Sequence, residues 1–276
     1  MMDLNIVFVN LKMRDDILRA IRSLKADLTG SSLNVQITVS DNTGNIDGIK
    51  EALSAEVPEV TYIDCGGNVG FGKGNTIGFK ATPARYYFAL NRDTLIPENS
   101  HTLERIVAYM DEHPEVGAMG PKLVNLDGTL QYSCYRFDWP AILIKPLKQI
   151  NWDEKYEWVR KYTDWLLMKD FDHNHTRPVD WVLGAALVVR QEVVDVIGWF
   201  DERYLAYLED ADWCRTMWEH HWPVYYVHDI VIQHAHARDS AKVPGIFRAL
   251  VKNKTARIHL SSWLKYIWKW RGRYTL

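Results

Sequence analysis

Acidic residues occupy two places in the sequence where their side chains could take part in a reaction. Asp93 closes the triplet Asn91-Arg92-Asp93 after an aromatic-rich run, and Glu209, Asp210 and Asp212 fall in the first turn of a predicted helix. A carboxylate at the end of a strand suits a hard divalent cation that also binds diphosphate oxygens. An aspartate is ionised at neutral pH, so one in the helix could act as general base toward a hydroxyl group.

Each of these acids also has a structural interpretation. Asp93 alone could cap a helix, and an acidic first turn is favourable because of the helix dipole. His234, at the end of a predicted strand, would on its own be read as structural; with the upstream Asp93 it indicates a mixed carboxylate and imidazole metal site. The residues by themselves leave these alternatives open.

A glycine-rich loop over residues 66–75 (GGNVGFGKGN) is the most conspicuous motif. It fails the dinucleotide fingerprint, because Asn75 stands at the third glycine. It fails the Walker pattern, because Gly74 follows Lys73 where a hydroxyl residue is required. A turn before a helix remains, which could approach a phosphate closely or simply join a strand to a helix tightly.

Strand-like and helix-like segments alternate around these residues and predict an α/β fold with a mostly parallel, doubly wound central sheet flanked by helices. Ligands bind such sheets at the carboxyl ends of the strands, which is where Asp41, the glycine-rich loop and Asp93 fall. Further along the chain the patterns predict a helix over residues 98–113, a helical insertion over 145–178, a strand over 179–189 and a helix over 209–220.

The composition is that of a folded enzyme, with 47% hydrophobic and 25% charged residues and a net charge of -2 over 276 residues. We therefore expect neither disorder nor a nucleic-acid partner. The three cysteines are far apart and form no CxxC pair, which indicates reduced thiols. We find no signal-peptide pattern and no long apolar run. These features predict a cytoplasmic protein, with contact at the inner face of the cell membrane as an alternative.

The last residues of the chain have a different character from the rest. Residues 245–276 contain eight Lys or Arg and no Asp or Glu, with Trp and Leu at helical spacing. We expect a basic, Trp-rich amphipathic helical tail over 241–276 after a domain spanning 1–240. Such a helix could lie on an anionic membrane surface, or pack its apolar stripe on the core or on a partner subunit. A homo-oligomer is left open.

Taken in order, the motifs resemble those of family-2 glycosyltransferases with the GT-A fold, especially the rhamnosyltransferase-like branch. The segment 39–42 (VSDN) is similar to the family's VDN strand end, residues 68–75 to its NxGFxxGxN loop, and 90–94 (LNRDT) to the LNPDT form of its DxD motif. The resemblance implies a donor half over about 1–120. Its donor-binding residues would be Asp41, which would contact the base, Asn68, Gly70, Phe71, Gly72, Lys73, Asn75, Asn91 and Arg92.

The resemblance continues in the acceptor half, about 121–240. Residues 180–186 (DWVLGAA) are similar to the family's DWxxGA segment, and 198–202 with 209–212 to its GxFDE…EDxD block. The match implies Asp210 as catalytic base, and Asp93 with His234 as ligands of Mn or Mg. It also implies acceptor-side positions at Trp181, Gly184, Ala185 and Glu209.

The resemblance implies an inverting transfer by single displacement from a dTDP- or UDP-linked sugar, with L-rhamnose as the expected sugar, onto a polysaccharide or lipid-linked glycan. Asn91 and Arg92 depart from the usual motif and leave Asp93 as its one carboxylate. Two other functions stay open. One is a nucleotide-sugar-binding protein without transferase activity, and the other is a sugar-1-phosphate nucleotidyltransferase, although residues 5–12 lack the glycines such an enzyme carries near its N-terminus.

Overall fold

The computed structural model describes residues 1–137, 152–235 and 253–273. The helices of these residues are α1 (Arg14–Asp27), α2 (Ile49–Glu56), α3 (Phe71–Ala81), α4 (Thr102–Glu112), α5 (Trp152–Lys155), α6 (Glu157–Leu166), α7 (Gln191–Ile197), α8 (Glu209–Glu219) and α9 (Lys254–Trp270). The strands are β1 (Met2–Asn10), β2 (Val35–Asp41), β3 (Thr61–Asp64), β4 (Ala84–Leu90), β5 (Thr94–Leu95), β6 (Ala118–Val124), β7 (Leu130–Gln131), β8 (Cys134–Tyr135), β9 (Arg177–Pro178), β10 (Trp181–Val182), β11 (Ala186–Arg190) and β12 (Val224–His234).

The central sheet has the strand order β3-β2-β1-β4-β11-β6-β12-β5. Strands β3, β2, β1 and β4 pair in parallel, as do β6 and β12. Strand β11 is inserted between β4 and β6 and is antiparallel to both. The mostly parallel α/β sheet predicted from the sequence is therefore confirmed, with one reversed strand at its centre.

Helices cover both faces of the sheet, as the side chains of β1 show. Leu4, Ile6 and Phe8 point into one buried cluster, which includes residues of α1, α2 and α4. Val7 points into a second cluster with residues of α3, α7 and α8. This alternation is what a strand buried on both faces requires. Because helices cover both faces of the sheet, a ligand would bind at the carboxyl edge of β1 and β4.

Two predicted elements were wrong in extent. The predicted strand over 179–189 is two strands, β10 and β11, because the chain turns at Gly184, whose N–H is directed at Asp210 instead of a neighbouring strand. The predicted helix over 98–113 begins only at Thr102. The carboxylate of Asp27 accepts hydrogen bonds from the N–H groups of Thr102 and Leu103 and so caps the helix from α1.

The C-terminal helix α9 lies against the loop before α8. Ser262, Tyr266 and Trp270 are its buried side chains, and the last two form a small cluster with Tyr204 and Ala211. The opposite face leaves Trp268 66% exposed. One stripe of the predicted amphipathic helix thus packs on the body of the protein. Residues 241–252 of the predicted tail lie outside the described residues.

Candidate active site

The sheet brings Asp93 and His234 together at one edge. Strand β12 pairs antiparallel with β5, so that His234 faces Thr94, and the N–H of Ala235 donates to the carbonyl oxygen of Asp93 over 2.9 Å. The Asp93 Oδ1 and His234 Nε2 atoms are 3.3 Å apart. Two residues far apart in the sequence are therefore neighbours, as the predicted metal site needs.

A hydrogen bond orients the imidazole of His234. Its Nδ1 lies 2.7 Å from Oε1 of Gln131, and since an amide oxygen can only accept, the proton belongs on Nδ1. In the neutral ring the Nε2 lone pair then points toward Asp93 Oδ1. Two lone pairs at that separation repel unless a proton or a cation lies between them, so the geometry fits a divalent cation.

The donor atoms also suit the cation chemically. A carboxylate oxygen and an imidazole nitrogen are ligands that Mn²⁺ accepts. Burial raises the pKa of Asp93, but the hydrogen bond and the positive charge of a protonated His234, together with the charge of Arg92, outweigh burial, so that with a proton instead of a cation on Nε2 the pKa lies below its usual value. The described residues contain no group of three or more His, Cys, Asp or Glu side chains that could hold a metal ion.

Asn91 and Arg92 lie beside this pair. The Asn91 N–H donates to the Ala185 carbonyl over 2.8 Å, and its Nδ2 is 3.4 Å from His234 Nε2. The Nε atom of Arg92 is buried and has no hydrogen-bond partner within the described ranges. A buried donor without a partner is costly, and an anionic oxygen of a ligand would satisfy it.

Asp210 lies on the first turn of α8. Its Oδ2 accepts a hydrogen bond of 2.8 Å from the N–H of Gly184, and its Oδ1 one from the N–H of Ala211. A Cβ atom at Gly184 would lie 3.3 Å from that Oδ2 and 3.3 Å from the Phe71 ring. The Gly184-Ala185 turn thus links Asn91 of the metal motif to Asp210 through backbone hydrogen bonds.

Glu209 has a different environment from its neighbour. It is 5% exposed, and its Oε2 finds no hydrogen-bond partner in the described part of the chain. Burial first, and then the charge of Asp210, raise its pKa well above the usual value. Burial and the neighbouring charge of Asp210 thus both disfavour the ionised form of Glu209, which the sequence did not indicate.

The glycine-rich loop meets the loop that leads into α8. Gly70 has φ 97°, and a Cβ at this position would lie 2.3 Å from the carbonyl oxygen of Leu205. The same oxygen accepts the N–H of Phe71 over 3.0 Å. Residue 70 must therefore be glycine, because a Cβ atom would clash with this carbonyl oxygen and because the positive φ disfavours other residues. The loop's glycines at 72 and 74 likewise face protein atoms, which supports the tight-connection alternative for this part of the motif.

The other predicted residues of this loop bond mainly within the protein. Asn68 Oδ1 accepts the Gly70 N–H over 3.1 Å, and Asn75 Nδ2 donates to the Phe71 carbonyl over 3.0 Å. Lys73 pairs with Glu202 over 2.8 Å at an exposed position. Their roles toward a donor stay predictions, and what the structure shows is that Asn68 and Asn75 hold the loop's shape.

Asp41 is fully buried, at 0% exposure. Its carboxylate accepts from the side chains of Asn10, Thr43 and Tyr62 and from the N–H groups of Thr43 and Asn45. Burial raises the pKa of Asp41, but these hydrogen bonds together lower it by more. The pKa of Asp41 therefore lies below its usual value. Asp41 thus organises the loop after β2. Contact of Asp41 with a donor base stays a prediction. It would require the base to replace one of these hydrogen-bond partners.

The acceptor-side roles of Trp181 and Ala185 stay predictions, and the structure shows what these two residues contact. The Trp181 indole stacks on Tyr135 with ring centroids 4.3 Å apart and donates to the carbonyl of Arg136 over 3.3 Å. Ala185 is 2% exposed and acts through its backbone bond to Asn91. The sequence did not indicate that Gln131 contacts His234, because the two residues are 103 positions apart, and the sequence spacing gave no sign of the Leu205 contact.

A family model described as "Glycosyl transferase family 2" matches residues 6–170. The match covers more than half of the chain. The chain belongs to glycosyl transferase family 2. The matched part includes the strands that carry Asp41 and Asp93, the glycine-rich loop and Gln131, and it ends before Asp210.

Two curated relatives indicate to which branch of family 2 this glycosyltransferase belongs. One is the N-acetylglucosaminyl-diphospho-decaprenol L-rhamnosyltransferase of Mycobacterium tuberculosis, 24% identical over 254 residues, which are 88% of this chain and 80% of the relative. The other is the low-salt glycan biosynthesis hexosyltransferase Agl10 of Haloferax volcanii, 24% identical over 214 residues. They cover 77% of this chain and 60% of Agl10. The chain is a glycosyltransferase of a rhamnosyltransferase-like branch.

Solved structures confirm the GT-A fold. The mannosyltransferase PcManGT from Pyrobaculum calidifontis, in complex with GDP-Man and Mn²⁺, has a TM-score of 0.56 at 12% identity, covering 97% of this chain and 72% of that one. S. aureus TarS 1-349 has a TM-score of 0.53 at 12% identity, covering 92% and 73%. GalNAc-T7 with UDP, GalNAc and Mn²⁺ has a TM-score of 0.57 at 11% identity, covering 85% and 44%.

Family membership favours the transferase over the two alternatives considered from the sequence, the nucleotidyltransferase and the non-catalytic binding protein. No helix of the described residues is long and apolar enough to cross a membrane.

Proposed function

We propose that this glycosyltransferase works by metal-assisted, inverting single displacement from a nucleoside-diphosphate sugar. The observation that carries the proposal is the orientation of Asp210 by the Gly184 N–H, on the turn that also binds Asn91 of the metal motif. Such a reaction needs at least two things: a carboxylate in a fixed orientation and, facing it, a binding site for the diphosphate.

At the donor end, Asp93 and His234 would hold Mn²⁺ or Mg²⁺, with Gln131 orienting the imidazole. The cation, when bound, neutralises the charge that grows on the departing diphosphate. Arg92 is placed to bind an anionic oxygen, since its buried Nε lacks a partner among the described residues. Asp41 with its surrounding loop, and the glycine-rich loop, would shape the pocket for the nucleoside.

At the acceptor end, Asp210 would take the proton of the attacking hydroxyl as that oxygen bonds to the anomeric carbon from the face opposite the leaving diphosphate. A double displacement would need a second, ionised carboxylate as nucleophile. Glu209 is adjacent, but it is 5% exposed and burial raises its pKa, which disfavours the ionised form that a nucleophile needs. This supports a single displacement, which inverts the anomeric centre.

For the sugar we propose L-rhamnose from dTDP-rhamnose, and for the acceptor a polysaccharide or lipid-linked glycan. The support is the relative named as a rhamnosyltransferase for a diphospho-decaprenol acceptor, together with the branch to which this chain belongs. A UDP-linked donor is the alternative, since two loops rather than a single base-reading residue line the nucleoside end.

The exposed face of α9 supports a peripheral contact with an anionic membrane at its cytoplasmic side. Trp268 is 66% and Leu264 55% exposed, and the Arg271 guanidinium lies 3.8 Å from the centre of the Trp268 ring. Exposed aromatic rings beside arginine suit the headgroup level of a lipid surface. A lipid-linked acceptor would be presented to the enzyme there.

The test is thermal melting with dTDP, UDP, GDP and ATP, each with and without Mn²⁺. A ligand at about 100 times its dissociation constant adds about 2.7 kcal/mol to the folded state, which is a visible change in melting temperature. We expect stabilisation by dTDP or UDP that requires Mn²⁺. Stabilisation by ATP alone, or by none of the four, would contradict the proposed donor site.

A further inference from the structure

We infer that the C-terminal helix α9 positions the general base, because Lys269 and Trp270 hold the buried carboxylate of Asp212 two residues away from Asp210. The inference rests on the proposed function in one respect, since it takes Asp210 as the base. It makes α9 part of the active site's framework and Asp212, Lys269 and Trp270 positioning residues.

Asp212 is 1% exposed and is held by three side chains. Its Oδ1 accepts from the Trp270 indole over 2.8 Å and from the Tyr204 hydroxyl over 3.0 Å, and its Oδ2 accepts from Lys269 Nζ over 2.6 Å. Burying a charged pair costs desolvation energy, and an apolar contact of similar volume would often be at least as stable. Directional bonds to both oxygens instead fix the rotation of the first turn of α8.

Lys269 also fixes the far end of the loop before α8. Its Nζ contacts Asp201 Oδ2 over 3.0 Å, so one ammonium group joins the two carboxylates on either side of residues 202–208. Asp201 has its pKa lowered far below the usual value, because the bonds from Arg203 and Lys269 outweigh its burial. Both ends of this loop are therefore anchored to α9.

Between these anchors the loop adopts a strained backbone that α9 supports. Tyr207 and Leu208 have φ of 70° and 69°, which is a left-handed conformation that costs residues with a Cβ atom. Ser262 Oγ donates to the Ala206 carbonyl and Lys265 Nζ to the Arg203 carbonyl, each over 2.7 Å. The strained residues directly precede Glu209 and Asp210.

The opposite side of the same loop contacts the glycine-rich loop, where the Leu205 carbonyl accepts the Phe71 N–H. The segment that carries the base is thus held between the donor-side loop and α9. Loss of the α9 contacts would let the first turn of α8 rotate, and misplacement of a catalytic group by even about 1 Å can cost about 100-fold in rate.

The test uses the full chain with Asp212→Asn, Lys269→Gln and Trp270→Phe, and with Lys269→Arg as the conservative variant. Lys254→Gln, at an exposed position of α9, and Trp158→Phe, at an exposed position of α6, are the matched controls. Two quantities are measured: amide hydrogen exchange of residues 204–212 compared with α3, and release of dTDP from dTDP-L-rhamnose in Mn²⁺.

We expect the Lys269→Gln and Trp270→Phe variants to exchange at 204–212 at least tenfold faster, with α3 unchanged. Their kcat should fall at least tenfold while KM for the donor stays within threefold. Lys269→Arg should restore most of the rate, and both controls should match the parent chain.

Parental exchange and parental kcat in Lys269→Gln and Trp270→Phe would overturn the inference, as would faster exchange spread equally over α3. If Asp212→Asn fails to fold, the Lys269→Gln and Trp270→Phe variants still test the inference. If the parent chain does not turn over dTDP-L-rhamnose, the proposed donor fails while the exchange measurement still decides the inference. If Asp210→Asn stays active, the base assignment itself fails.

Discussion

The Gly184 N–H and the Asp210 carboxylate are joined by a hydrogen bond of 2.8 Å, which ties the turn between β10 and β11 to the first turn of α8. The donor is a backbone N–H group, so it stays in place when the side chain of Asp210 is replaced. The consequence is that Asp210 can be altered without disturbing the turn.

Asp210→Asn should abolish transfer while keeping the fold and the donor site. The asparagine oxygen can still accept the Gly184 N–H, but the side chain can no longer take a proton, so kcat should fall by about 10³-fold. Turnover and Mn²⁺-dependent melting with dTDP are the measurements. Asp229→Asn, an exposed carboxylate paired with Arg105, is the control. Transfer near the parental rate would show that Asp210 is not the base.

Gln131→Ala should weaken Mn²⁺ binding, because Gln131 fixes the imidazole of His234. Loss of such a supporting hydrogen bond typically costs about 10- to 100-fold in metal affinity. The measurement is the Mn²⁺ dissociation constant in the presence of dTDP, read from the electron paramagnetic resonance of free Mn²⁺. Gln233→Ala is the control, since successive strand residues point to opposite faces. Equal Mn²⁺ affinity in the two variants would show that Gln131 does not support the metal site.

Glu209→Gln should stabilise the protein increasingly as the pH rises. The folded pKa of Glu209 is raised above the ordinary value of 4.5, so the folded state favours the protonated form. The parent chain's stability is then full below the ordinary, unfolded pKa. It declines as the pH rises from there to the folded pKa, by about 1.4 kcal/mol for each pH unit. Glutamine removes this decline.

The measurement for Glu209→Gln is the free energy of unfolding by urea at about pH 5, close to the ordinary pKa of the unfolded chain, and at about pH 8. We expect the advantage of the variant to be small at the lower pH and largest at the higher one. Glu192→Gln, an exposed acid in the first turn of α7, is the matched control and should show no such trend. An advantage independent of pH would mean that Glu209 is ionised in the folded state.

Gly70→Ala should destabilise the protein more than Gly66→Ala. Both glycines have positive φ, so alanine costs about 1 to 2 kcal/mol at either position. Only at Gly70 would the new Cβ meet the Leu205 carbonyl, whereas at Gly66 no atom of the described residues lies within 4 Å. Urea unfolding measures both, and Gly70→Ala should also lower the affinity for dTDP. Equal losses would show that the contact between the two loops is unimportant.

Leu264→Ser with Trp268→Ser should abolish flotation with anionic liposomes while leaving the melting temperature within about 2 °C, because both side chains are exposed. Val196→Ser, an apolar residue 59% exposed on α7, is the control and should float like the parent. If the parent chain itself does not float, the membrane proposal is wrong.

The sequence predicted the helices and parallel strands because their apolar periodicity is local, and it placed Asp93 and His234 as partners through the motif order. It could not show that β11 runs antiparallel between β4 and β6, since strand direction depends on connections far along the chain. The pairing of His234 with Gln131 was missed for the same reason. The pattern of residue types also did not reveal that both oxygens of Asp41 bond internally, and the contact of Asp41 with a donor base stays a prediction.

The C-terminal helix illustrates a further limit. Its periodicity predicted an amphipathic helix, and α9 is one, but the sequence left open which surface its apolar stripe meets. Three of its buried side chains pack on the body, while Trp268 and Leu264 face away. The decisive contacts are polar ones from Lys269 and Trp270 to Asp212, and such pairs carry no periodic signal.

The late position of β11 has a consequence for how the chain folds. In the sheet of the described residues β4 and β6 are separated, and Ala186–Arg190 fills the gap between them. During synthesis the first half of the sheet must therefore wait, with an unpaired edge at β4, until Arg190 has been made. Non-local pairing of this kind slows folding. We expect the sheet to form in one cooperative step after β11 emerges.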